Sequence, residues 1–170
     1  MIKKILIISV IIIFILLVGF YLIIFTESSI KEPENLVEKM TENTNEGIFL
    51  FERITRYPIR VYIPAFSNNI TIGIAGQQEE LDFGILPRHT IGRKLILVQN
   101  EDKIPAKVHL RVYGNITELV NFEKNDFVLE VNESITISVD AHMTGNYSGE
   151  VQIIMRKPKN EFLGWLVAWI

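Results

Sequence analysis

The spacing of apolar and polar positions divides the chain into unlike parts. Ile5 to Phe25 reads ILIISVIIIFILLVGFYLIIF, 21 residues without a charge. As a helix at about 1.5 Å per residue it reaches roughly 31 Å, close to the hydrocarbon thickness of a bilayer. A backbone in lipid must satisfy its own polar groups, so the pattern predicts one transmembrane helix over 1–25. Residues 26–46 hold six Glu and two Lys and form an acidic stalk. Pro33 suits a first helical turn and Glu34 suits the positive end of the helix dipole, which predicts a short helix over 33–42. The same residues also read as a frayed linker.

From Gly47 the period becomes two. Val108, Leu110 and Val112 alternate with Lys107, His109 and Arg111. Ile135, Ile137 and Val139 alternate with Ser134, Thr136 and Ser138. Phe127, Leu129 and Val131 form another set, as do Val151, Ile153 and Met155. Such alternation marks half-buried strands. Further strands are predicted over 48–54, 58–64, 70–75, 81–85 and 93–99. Turn residues separate them: Ser67-Asn68-Asn69, Pro87, Asn100-Glu101-Asp102, Gly114-Asn115, Asn132-Glu133 and Gly145-Asn146. Short strands at this spacing, with no strong helix between them, predict an all-β antiparallel sandwich or barrel.

Charge sets the expected orientation. Lys3 and Lys4 precede the apolar run, while Glu27, Glu32 and Glu34 follow it. The positive-inside rule then predicts a single-pass protein of the cell membrane, its N-terminus cytoplasmic and its C-terminal domain outside, with the lipid bilayer as one partner. A cleaved signal peptide is the competing expectation. The run is longer than the usual signal core of about 7–15 residues, and no A-x-A site follows. Net charge is −3 and no basic stretch carries interleaved aromatics, which argues against nucleic acid as a partner. There is no cysteine, hence no disulfide, thiolate metal site or Cys nucleophile.

Leu81-Asp82-Phe83-Gly84-Ile85-Leu86-Pro87, followed by Gly92 to Asn100 and then Pro105, resembles the Ig-like β-sandwich domains of the hydin and abnormal-spindle type, relatives of major sperm protein domains. Gly145 to Ile153 is similar to the closing turn and strand of many such sandwiches. The resemblance covers about 85–90 residues and implies an Ig-like antiparallel sandwich over 70–157 that binds or assembles rather than catalyses. It carries no catalytic residue over. Residues 47–69 are then extra strands or a collar, and 158–170 a tail. Gly84 suits a bulge or a close backbone approach, and Pro87 a strand end. Tyr147 suits a ring turned inward with its hydroxyl on backbone, or an ordinary surface turn.

Candidate chemistry is sparse. His89, His109 and His142 share no metal-ligand spacing, and Glu79, Glu80 and Asp82 lack the calcium-loop pattern, so no catalytic residue, metal or cofactor is assigned. Asn69, Asn115, Asn132 and Asn146 each open an N-x-S/T sequon at an expected turn or strand end and are candidate glycosylation sites. The apolar tail holds Phe162, Trp165 and Trp169. It reads as a packed final segment, an interfacial anchor aided by Lys157 and Lys159, or a docking tail. The expected role is a non-catalytic binding or structural module of the cell envelope with a protein partner. The alternative is an accessory subunit of a membrane secretion, motility or transport complex.

Overall fold

The computed structural model describes residues 2–26, 33–47, 49–66 and 79–161. The chain divides into two units, the first built on a helix and the second holding every described strand. The helix, α1, spans Ile2–Thr26. Among the described residues no helix is long and apolar enough to cross a membrane. The expected single-pass membrane placement, with its transmembrane helix and bilayer partner, is corrected accordingly.

The second unit is all-β. Its strands are β1 (Thr41–Glu46), β2 (Leu50–Ile63), β3 (Leu81–Ile85), β4 (Ile91–Val98), β5 (Ala106–Gly114), β6 (Val120–Phe122), β7 (Phe127–Leu129), β8 (Glu133–Asp140) and β9 (Gly145–Pro158). The large sheet runs β1-β2-β9-β5-β7, and β3 also lies beside β2; the small sheet runs β4-β8-β6. All pairs are antiparallel except β2 with β3, which is parallel.

The helix expected over 33–42 is absent. Residues 33–40 are irregular and β1 begins at Thr41. Thr41 to Glu46 has no apolar side chain, and what makes it a strand is the ladder offered by Phe51–Arg56 of β2. The separate strands expected over 48–54 and 58–64 are one strand, β2. Pro58 falls between Arg56, the last residue opposite β1, and Ile59, the first opposite β3. A residue with no N–H is tolerated where that flank has no partner strand. Gly145 and Asn146, expected as a turn, belong to β9 and pair with Ile63 and Tyr62. The strand expected over 70–75 lies outside the described residues.

The alternation does what period two requires. Ile59, Val61, Ile63, Val108, Leu110, Val151, Ile153 and Met155 of the large sheet are buried against Ile96, Val98, Ile135, Ile137 and Val139 of the small one. Each fully buried aliphatic side chain of this size contributes about 1.5–3 kcal/mol. At one end the sheet closes through glycine. Gly114 (φ +103°) lies opposite Gly149, and a Cβ on Gly149 would come 2.1 Å from the Tyr113 carbonyl oxygen. Gly84 (φ +63°) sits where the β2–β3 register shifts, and its N–H donates to Asp82 Oδ1 at 2.8 Å, so the expected bulge is present.

Candidate functional site

The large sheet places charge on its outward face. In β9, Val151, Ile153 and Met155 turn to the core, so Glu150, Gln152, Ile154 and Arg156 turn away. Three of these four are nevertheless buried: Glu150 is 0% exposed, Gln152 4% and Ile154 1%. Arg56, opposite Gln152 on β2, grips the Glu150 carboxylate with both ends of its fork, Nε to Oε1 at 2.7 Å and Nη2 to Oε2 at 2.6 Å. Gln152 Nε2 donates to Oε1 at 2.6 Å and the Val37 N–H to Oε2 at 3.1 Å. Arg56 Nη2 also donates to the Asn35 carbonyl at 2.6 Å. Burial pushes the Glu150 carboxyl up, but the Arg56, Gln152 and Val37 donors outweigh it and hold the group below its ordinary value. Residues 35–37 are thereby fastened to the sheet.

One row along, Arg156 Nε donates to Glu52 Oε2 at 2.5 Å, while its buried Nη2 has no hydrogen-bond partner among the described residues. His109 stands beside this row, 3.7 Å from Asp126. Its pKa is lowered, first by burial and then by Arg111 and Arg156, with Asp126 opposing. On the inward side Arg53 Nη2 donates to the Gln99 carbonyl at 2.5 Å and so joins the two sheets. Beside it is a cavity of about 130 Å³ lined by Met40, Glu42, Thr55, Tyr57, Leu97 and Met155 among others. Small-molecule sites usually enclose about 300–1,000 Å³. The Tyr57 hydroxyl there has a raised pKa, from burial and then from Glu42.

The residues singled out in the sequence are scattered. Asn115, Asn132 and Asn146 are all exposed. Asn115 Oδ1 accepts the Ser148 N–H at 2.7 Å, and Asn132 Oδ1 accepts the Asn100 N–H at 3.0 Å. Asn69 and the tail residues Phe162, Trp165 and Trp169 lie outside the described residues. The His89 N–H donates to the Ala141 carbonyl, next to His142, whose Nδ1 is 3.7 Å from Asp140. His142 and Asp140 are each about half exposed, and among the described residues no group of three metal-ligating side chains converges. Arg60 bridges Glu80 at 3.0 Å and Asp82 at 2.8 Å, so two of the three carboxylates in the acidic cluster share one guanidinium. Lys157 is paired with Asp102 and lies over the Phe51 ring, and Lys159 holds Glu46 at 3.0 Å. Tyr147 packs on the core and donates to the Thr144 carbonyl at 3.1 Å, as its inward option required.

The sequence pattern missed Glu150, Gln152, Arg56 and Arg156, because polar outward residues of a strand read as solvated. Ile154 was the available signal: an apolar side chain in an otherwise polar outward row marks a covered face. What remains open is an edge. β1 is the outermost strand of the large sheet, all six of its residues are exposed, and among the described residues its ladder runs to β2 alone. The other outer strands are β6 and β7 with three residues each, β3 with five and β4 with eight. Comparison with family models, with curated proteins and with solved structures returns no match.

Proposed function

We propose that the β domain is a non-catalytic binding module of Ig-like character, related to the hydin and abnormal-spindle type. It takes an extended segment of a protein partner as an added strand along β1. The observation that carries this reading is the β1 edge, exposed on both faces and paired on one side among the described residues. Such an edge offers a row of main-chain donors and acceptors, and strand addition draws its affinity from them. The charged side chains of the large sheet support the same reading. Arg53, Arg56 and Glu150 bond to the domain's own backbone and side chains and hold the scaffold that presents β1. A photo-crosslinking side chain placed at Asn43 or Asn45 in the native host tests it. Adducts with another protein are expected from β1 and not from Ser138 of the small sheet. Adducts from Ser138 alone refute it.

A further inference from the structure

We infer that the segment received by β1 is basic, with Lys or Arg residues four apart, an inference that rests on the edge-docking reading above. β1 reads Thr-Glu-Asn-Thr-Asn-Glu, with no cation and no apolar side chain. Its register sets Glu42, Thr44 and Glu46 beside Thr55, Arg53 and Phe51 of β2. The two carboxylates therefore share one face of β1, two pleats apart, about 13 Å along the strand. A strand added on the free side brings its own side chains within about 5 Å of these positions. Opposite charges directly across such a pair attract and like charges repel. Glu46 is held by Lys159 in an exposed pair, and Glu42 has no cation partner among the described residues. All six residues are exposed, so neither face is buried against another described element.

The acidity also selects against wrong partners. Natural sheet edges carry charge to deter neutral and like-charged strands. Here the guard is negative, so a cationic strand is the one that gains from it. A second copy of this chain, at net charge −3, brings no such cation to the edge from its own β1.

The test is selection of a random octapeptide library on the full chain, followed by hydrogen exchange read by mass spectrometry. Enriched peptides are expected to carry Lys or Arg at positions i and i+4 and to slow exchange in β1. In Glu42→Gln/Glu46→Gln their affinity is expected to fall about tenfold, since each exposed pair contributes up to about fivefold. These neutral substitutions keep the side-chain shape, so the domain stays folded. Enriched peptides that lack cations yet protect β1 overturn the inference and leave the edge reading standing. Protection away from β1 overturns both. Protection of β1 that rises with protein concentration, without peptide, assigns the edge to a second copy and overturns the basic-segment inference.

Discussion

Arg56 and Glu150 offer the sharpest test of how the sheet is held. Removing one partner of a buried ion pair costs about 3–5 kcal/mol, because the other charge is left uncompensated. The two single truncations are not equivalent here. In Glu150→Ala the stranded group is Arg56, whose side chain is 20% exposed and still bonds the Asn35 carbonyl. Its cost belongs near the lower end, about 3 kcal/mol. In Arg56→Ala the stranded group is a carboxylate with no exposure, left with only Gln152 and Val37 as donors. That cost belongs near the upper end, about 4–5 kcal/mol. Replacing both, as Arg56→Met/Glu150→Leu, removes the pair and its desolvation together and recovers most of the loss. Urea unfolding followed by circular dichroism reads all three variants. An Arg56→Ala cost below about 1 kcal/mol, or a double variant as unstable as the two singles added, refutes the reasoning. The acid limb gives an independent reading. The folded Glu150 pKa lies below its unfolded value near 4.3, so its stabilisation is complete above that pH. It is lost as pH falls through the folded value. Glu150→Gln has no such loss, so its deficit against the unsubstituted chain shrinks below about pH 4.

Other sites give simpler outcomes. Gly149→Ala forces a methyl against the Tyr113 carbonyl in a close backbone crossing and lowers stability by about 3 kcal/mol in the same urea assay. Asn100→Ala removes one side-chain amide that serves the Ile104, Leu129 and Glu130 carbonyls, and costs about 2–3 kcal/mol. Arg60→Ala breaks two exposed ion pairs and shifts stability by less than about 1 kcal/mol, a difference that vanishes in high salt.

Period two was a strong guide where one face of a strand meets the core and the other meets water. β3 has the expected bounds, and β8 contains the expected 134–139. The sheet core followed the same alternation, down to Ile135, Ile137 and Val139. Asn100, expected as a turn residue, is a buried amide tying two loops together. The pattern failed where the partner decides. Thr41 to Glu46 has no β-forming stripe of its own and becomes a strand only against β2, a contact that local spacing cannot reveal. Pro33 and Glu34 carried genuine helix-start chemistry, but Val37 and Asn35 are drawn to Glu150 and Arg56, more than a hundred and about twenty residues away in sequence respectively. The covered outer face of β9 was hidden for the same reason: burial of Glu150 depends on what arrives from elsewhere in the chain.

The course of β9 through the large sheet governs when the domain can assemble. All fourteen of its residues pair with β2, and eight of them also pair with β5 on the other side. The last described strand to leave the ribosome is thus the one that joins the first long strand to the rest. Until Gly145–Pro158 has emerged, β2 and β5 have no neighbour to share, and the small sheet has no layer to cover its apolar side. Emergence of β9 therefore brings a late closure of widely separated segments, which places this fold among slow folders rich in non-local contacts. Fragments that stop before Gly145 remain open, sticky chains.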